Sequence, residues 1–123
     1  MKANELMIDD WMLLHDVPFQ VTSIYAKNGA REIGFGNKED FWVDISNVEP
    51  IKITPEILEK NGWEKRPTGY VFYTDGKRYD NSLWYIFGSS NTFVVDTAEF
   101  QINYVHELQH ILKILNIDKE III

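Results

Sequence analysis

The chain of 123 residues contains no cysteine. This absence excludes structural disulfides, zinc sites built on thiolates and catalysis by a thiol nucleophile. The chain also lacks an apolar run near the roughly 20 residues that a membrane-spanning helix needs. Its first residues turn acidic at Asp9 and Asp10 before any apolar run develops, so no signal peptide is expected. We therefore expect a cytoplasmic protein with no membrane partner.

Basic residues are scarce relative to acidic ones. The chain has 12 Lys and Arg against 19 Asp and Glu, a formal net charge of -7. Because an acidic surface repels a phosphate backbone, a nucleic-acid partner is not expected. The length suits one domain spanning residues 1–123, and no repeat or low-complexity tract divides it.

The first 53 residues contain short strand patterns separated by tight turns. Trp11–Leu14 is followed by a turn at His15–Pro18, and Asn28-Gly29 is a strong signal for a type I′ hairpin. That hairpin joins Val21–Lys27 to Arg31–Phe35. Further strands are expected over 41–45 and 48–51. Five short strands in this space predict a small SH3-like β-barrel or half-barrel.

A short helix follows this β-rich part. Thr54 suits the N-cap and Pro55 the first helical position. Gly62 suits the left-handed residue after the helix, and Trp63 can then pack back on Leu58. This helix leads into residues 54–123, the second part of the domain.

Antiparallel hairpins are expected next. Tyr70–Thr74 turns at Asp75-Gly76 into Lys77–Asp80, and Leu83–Phe87 pairs with Thr92–Asp96. These strands are apolar on both faces, so both faces must be covered. The predicted fold class is α+β, with this antiparallel sheet packed against one C-terminal helix.

The last helix is expected from about Ala98 or Asn103 to Leu115. Asn116 suits its left-handed C-terminal residue, and Ile117 can close back on Leu112. Within this helix, residues 106–110 read H-E-x-x-H, a pattern that places two imidazoles and a carboxylate on one turn. In metallopeptidases the two His bind zinc and the Glu activates water.

The helical phase argues against that chemistry. At about 100° per residue, His106 and His110 fall opposite an apolar stripe. The stripe consists of Tyr104, Val105, Leu108, Ile111, Leu112 and Leu115. Both His are therefore expected to face water. A catalytic zinc also needs a third protein ligand, and the chain after His110 offers only Asp118 and Glu120. We interpret the motif as incidental, with no cofactor and no catalytic residue. Zinc held by His106 and His110, with Glu107 as base, is the alternative.

Two other groups of residues are candidate functional sites. Asp9-Asp10 is interpreted as a solvated strand end, because its spacing matches no calcium loop. Four aromatic residues of the β-rich part could line a groove for an extended peptide, as SH3-like barrels do. They are Trp11, Phe35, Phe41 and Trp42. Aromatic residues also build the core of so small a barrel, so both readings stay open.

Several stretches resemble a family of small uncharacterised proteins from gut Bacteroides-type bacteria and their phages and mobile elements. They are Leu6–Trp11, Pro18–Ile24, Ile53–Trp63, Tyr104–Leu115 and Asn116–Ile121. The resemblance implies a phage- or mobile-element-related setting. It implies no activity, cofactor or site residue.

Three functions are consistent with these patterns. The favoured one is a non-enzymatic, small intracellular binding or accessory protein whose protein or peptide partner the sequence does not identify. The first alternative is a zinc-dependent hydrolase that uses the H-E-x-x-H helix. The second is a structural protein that forms homodimers.

Overall fold

The computed structural model describes residues 6–27, 30–35, 42–73, 82–95, 98–117 and 119–123. It contains ten strands and two α-helices within those ranges. The strands are β1 (Trp11–Leu14), β2 (Val17–Lys27), β3 (Ala30–Phe35), β4 (Trp42–Asp44), β5 (Val48–Pro50), β6 (Glu64–Arg66), β7 (Gly69–Tyr73), β8 (Ser82–Ile86), β9 (Thr92–Val95) and β10 (Ala98–Gln101). The helices are α1 (Pro55–Lys60) and α2 (Val105–Ile114). Neither helix is long and apolar enough to cross a bilayer. The α+β class is confirmed.

The chain divides into two compact units. The first unit is Met1–Lys52 with Tyr104–His110, and the second unit is Ile53–Asn103 with Ile111–Ile123. The division at residue 52 lies next to the boundary expected at residue 53. Helix α2 contributes its N-terminal half to the first unit and its C-terminal half to the second. A single domain over 1–123 stays a prediction.

The first unit contains an antiparallel sheet in the order β4-β3-β2-β1-β5. Strand β2 pairs with β1 through its first residues and with β3 through its later ones, and the register shifts between Val21 and Ser23. A 3-10 turn at Ile45–Asn47 connects β4 to β5. The described strands leave β4 and β5 as separate edges, so the sheet is not closed into the expected barrel.

The turns of this sheet follow the predicted chemistry in part. His15 and Asp16 both have positive φ, 49° and 66°, and β2 already begins at Val17. The predicted four-residue turn is therefore a two-residue one. Strands β2 and β3 pair as the predicted hairpin, while its turn at Asn28-Gly29 lies outside the described residues.

The core of the first unit lies on one face of this sheet. Alternate residues of β1 and β2 point into it because successive side chains of a strand face opposite ways. Its buried members are Leu6, Met12, Val21, Ile33 and Val48, with Leu14, Phe19, Val43 and Ile45 packed at its margin.

Helix α1 has the predicted ends. The Thr54 hydroxyl accepts a hydrogen bond from the Ile57 N–H at 3.3 Å, and Pro55 occupies the first helical position. Gly62 has φ +86°, and the Trp63 N–H donates to the Leu58 carbonyl at 3.0 Å. This is the six-residue closure of a Schellman motif, which confirms the roles assigned to these residues.

The second unit contains a sheet in the order β10-β9-β8-β7-β6. The hairpin of β8 and β9 is confirmed. Strand β7 pairs with β8, while the turn predicted at Asp75-Gly76 and the strand Lys77–Asp80 lie outside the described residues. Strands β6 and β10 were not predicted, because each is short and carries polar residues at its exposed positions.

The C-terminal helix starts later than its earliest predicted position. Ala98–Gln101 forms β10, paired with Thr92–Val95, so a helix start at Ala98 is wrong. The predicted end is confirmed. Asn116 has φ +56°, and the Ile117 N–H donates to the Leu112 carbonyl at 2.9 Å.

Candidate functional site

The H-E-x-x-H segment lies in the first two turns of α2, and its Glu serves the start of that helix. The Glu107 carboxylate accepts a hydrogen bond from the Tyr104 N–H at 3.1 Å. This is the carboxylate half of a capping box, which satisfies a backbone donor that the helix itself leaves unpaired. The next N–H, of Val105, donates to the Ile51 carbonyl at 2.8 Å. The proposed catalytic base thus stabilises the helix N-terminus.

The second His of the motif forms a pair with a buried aspartate 100 residues away. Nε2 of His110 lies 2.7 and 2.9 Å from the two carboxylate oxygens of Asp10. The Met7 N–H also donates to Asp10, at 2.7 Å. The Asp10 side chain is fully buried, whereas 22% of the His110 side chain is exposed. Since a carboxylate can only accept, Nε2 of His110 carries the hydrogen of this contact and donates it to Asp10.

Gln109 adds a second connection to the same segment. Its side-chain N–H donates to the Asp9 carbonyl at 2.8 Å, and its side-chain oxygen accepts from the Trp11 N–H at 2.9 Å. The carboxamide therefore pairs with two backbone groups that flank Asp10. Together, Gln109 and His110 attach α2 to residues 9–11 through four hydrogen-bond contacts.

The first His of the motif is more deeply buried than the second. Only 3% of His106 is exposed. Its ring stacks on Tyr104 with centroids 6.0 Å apart and meets the His110 ring edge-on at 5.7 Å. The rings of Tyr104 and His110 thus lie on two sides of the His106 imidazole.

The expectation that both His face water is wrong. His106 and Gln109 are buried and His110 is only partly exposed. Of the predicted apolar stripe, Val105, Leu108 and Leu112 are buried, Tyr104 and Ile111 are half-buried, and Leu115 is exposed. The exposed side of α2 includes Ile114, 81% exposed. A polar helical face can be buried when its groups find partners elsewhere in the fold, and Asp10, Asp9 and Trp11 supply those partners.

The arrangement does not assemble a third ligand for zinc within the described residues. Those residues contain no group of three His, Asp or Glu side chains able to hold a metal ion. A metal at Nε2 of His110 would have to displace the Asp10 carboxylate. Of the two downstream candidates, Glu120 is exposed and belongs to the second unit, and Asp118 lies outside the described residues.

Strand pairing gives the backbone positions of three of the four aromatic residues that were predicted to line a groove. Trp11 is half-buried and pairs with Gln20, while Phe35 pairs with Val21. Trp42 pairs with Gly34, next to Phe35 in β3. The register thus brings the backbone positions of these three residues to one end of the first sheet. Phe41 and the side chains of Phe35 and Trp42 lie outside the described part of the structure.

Sequence reasoning missed the two residues that complete this site. Asp10, expected at a solvated strand end, is fully buried, and Gln109 is buried as well. No periodicity could pair position 10 with position 110.

Comparisons with known proteins add no assignment. No family model, curated protein or solved structure matches the chain.

Proposed function

We propose that this chain is a non-enzymatic binding protein, and that its first unit binds an extended, positively charged segment of another protein. The observation that carries the proposal is the use of the H-E-x-x-H groups within the fold. Glu107 caps α2 and His110 holds Asp10. Because Glu107 and His110 are used to stabilise the fold, they favour a binding function of the first unit over a catalytic one.

The architecture of the first unit supports a peptide-binding role. Strand order β4-β3-β2-β1-β5, a β2 shared between two sets of partners and a 3-10 turn before β5 are all features of SH3-like folds. We therefore retain the SH3-like half-barrel as part of the proposal. Such folds bind extended peptides against aromatic side chains, and the strand register brings Trp11 of β1 and Trp42 of β4 to the same end of the sheet, with β2 and β3 between them.

Charge indicates the kind of segment that would bind. Several carboxylates of the first unit are exposed, namely those of Asp9, Asp16, Glu32, Asp44 and Glu49. Among the side chains of this unit that the structure describes, Lys52 is an exposed cation. Complementary charge speeds association and selects against acidic partners. A partner segment rich in Lys or Arg fits this surface best.

Calorimetric titration with matched synthetic peptides tests the proposal. One peptide is proline-rich and carries Arg residues, and the other has Glu in place of each Arg. We expect the Arg peptide to bind, more weakly as salt rises, and the Glu peptide not to bind. Trp11→Ala should abolish binding, whereas Trp84→Ala, a change at a half-buried tryptophan in the second unit, should leave it intact.

Two results would reject the proposal. One is equal binding of both peptides or of neither. The other is binding by the Trp11→Ala variant at the affinity of the unmodified protein.

The zinc hydrolase alternative has its own measurement. Metal analysis of protein prepared without a histidine tag is compared with the same analysis of His110→Ala. We expect no stoichiometric metal in either sample. One zinc per chain that disappears in His110→Ala would favour the hydrolase.

A further inference from the structure

The two edges of the second sheet differ in how they are protected. Edge strands display unpaired backbone groups, and proteins usually shield them with charged side chains. Strand β6 has three charged residues in a row, Glu64, Lys65 and Arg66, and two of them form an ion pair. Strand β10, at the other edge, has one charged residue, Glu99.

Strand β10 is also uncovered. All four of its residues are exposed, and among the described strands it pairs only with β9. Phe100 is 42% exposed although its ring lies near that of Phe93, with centroids 6.4 Å apart. An exposed, largely uncharged edge with an aromatic side chain is a template for pairing with another strand.

We propose that β10 pairs antiparallel with β10 of a second copy of this chain, which would join two second-unit sheets across a two-fold axis. In the register where Phe100 faces its own symmetry mate, Glu99 faces Gln101 of the other copy. Cross-strand aromatic pairs and carboxylate–amide hydrogen bonds both stabilise antiparallel sheets. A register shifted by two residues, which centres the two-fold axis on Glu99, would instead place the two Glu99 carboxylates opposite each other, which is destabilising. The sequence of β10 therefore favours the register centred on Phe100 over the one centred on Glu99.

The pairing is expected to be weak. An interface limited to one four-residue strand lies below the roughly 1,200 Å² that stable complexes bury, and each copy carries a net charge of -7. A dissociation constant on the order of 100 µM is consistent with such an interface. The self-association would therefore be visible only at high protein concentration and would strengthen with salt.

Sedimentation equilibrium from about 10 µM to about 1 mM, concentrations that bracket this estimate, tests the inference. We expect the weight-average mass to rise from 14.4 kDa towards twice that value. Phe100→Lys should keep the protein monomeric over this range. Ile114→Lys is the matched control, since Ile114 is 81% exposed but lies on α2. It should self-associate like the unmodified chain.

Position 101 tests the register itself. Gln101→Lys would place an amine opposite each Glu99 and should tighten association several-fold, and Gln101→Glu should weaken it. All variants should retain the far-ultraviolet circular dichroism of the unmodified protein. The inference is overturned by a monomer at every concentration, by a dimer that survives Phe100→Lys, or by equal association of the two Gln101 variants. These outcomes are independent of peptide binding at the first unit.

Discussion

Asp10 is the residue on which the polar network of the first unit converges. Its carboxylate is fully buried and accepts from the Met7 N–H and from His110. The Asp10 backbone carbonyl accepts from the Val21 N–H at 2.8 Å. Burying a charged group without partners is expensive, so its partners must be held in place. Asp10 therefore links strand β2, the segment before β1, and helix α2.

Replacing this carboxylate by an amide should destabilise the protein. Asp10→Asn removes the charge-assisted hydrogen bonds to His110 and Met7, which contribute roughly 1.5–3 kcal/mol to the free energy of unfolding. Urea denaturation measures the loss. Glu49→Gln, the same chemical change on an exposed strand residue, should alter stability by less than about 0.5 kcal/mol. Equal effects of the two changes would show that the buried pair contributes nothing.

Asp44 is an exposed carboxylate with a different local role. It accepts hydrogen bonds from the Ser46 N–H at 2.8 Å and from the Ser46 hydroxyl at 2.7 Å. These bonds favour the charged form, the backbone bond most, and lower the pKa of Asp44 below 3.8. The carboxylate therefore stabilises the 3-10 turn above its unfolded pKa, and this contribution disappears as pH falls through the folded value.

Ser46→Ala should raise the pKa of Asp44 but leave it below 3.8, because the backbone bond from residue 46 remains. A carbon-detected NMR titration of the side-chain carboxylate measures both values. A pKa at or above 3.8 in the unmodified protein would contradict this account of the turn.

The helix ends show how local chemistry defines an element. In both α1 and α2 a residue with positive φ follows the last turn, Gly62 in one and Asn116 in the other. Each is followed by an N–H that returns to a carbonyl five residues earlier. Such ends depend on residues close together in the chain, and for this reason the sequence alone predicted them.

Gly62→Ala should destabilise the second unit by about 1 kcal/mol, because a β-carbon is strained at φ +86°. Space is not the cause, since the added carbon would lie 3.7 Å from the Phe72 ring. Gly88→Ala is the matched control: its nearest contact is also 3.7 Å, without a positive φ. Thermal unfolding compares the two. A loss as large in Gly88→Ala would point to glycine flexibility in general, not to the cap.

The C-terminal segment depends on one amide at the end of α1. The buried Asn61 side chain donates to the Ile57 carbonyl at 2.8 Å and to the Ile122 carbonyl at 2.7 Å, and it accepts from the Ile122 N–H at 2.7 Å. It thereby pairs with the backbone of Ile122 as a neighbouring strand would. Ile121, the preceding residue, is 2% exposed.

Asn61→Ala should release this segment. Three partly buried hydrogen bonds disappear, and their loss should lower the free energy of unfolding by roughly 1–3 kcal/mol. Hydrogen exchange at the Ile122 amide should accelerate at least tenfold. Exchange at the β8 amides should accelerate only as far as the loss in overall stability requires. Unchanged protection at Ile122 would mean that Ile121 alone anchors the segment.

At the scale of the whole molecule, an excess of negative charge opposes folding. The net charge is -7, and like charges confined to a compact chain repel one another. The described ion pairs are few, Arg66 with Glu64 and His110 with Asp10. Screening by salt should therefore weaken the repulsion among like charges more than it weakens the attraction within these ion pairs.

Raising sodium chloride from 10 mM to 500 mM should increase the melting temperature by roughly 3 °C, the shift expected for a gain of about 1 kcal/mol or less. Differential scanning calorimetry at constant pH measures it. Sodium sulfate must be avoided as the only salt, because it strengthens apolar burial as well. A fall in melting temperature with sodium chloride would mean that attractive pairs dominate.

The sequence by itself determined the features that depend on neighbours in the chain. These are the α+β class, the pairing of β2 with β3 and of β8 with β9, both caps of α1 and the C-terminal cap of α2, because turn and cap residues act over two to six positions. It also identified the three buried apolar residues of α2, Val105, Leu108 and Leu112, although Leu115 of the same predicted stripe is exposed. It failed where short polar segments formed β6 and β10, since only pairing with another strand makes such segments extended.

Only the tertiary structure decided the environment of the H-E-x-x-H turn. Helical phase placed His106 and His110 opposite the apolar stripe, and from this an exposed face followed. The fold instead brings Asp10, 100 residues distant, to Nε2 of His110, and it gives Gln109 two backbone partners. A polar face is buried or solvated according to whether distant groups can satisfy it, and chain proximity carries no information about those groups.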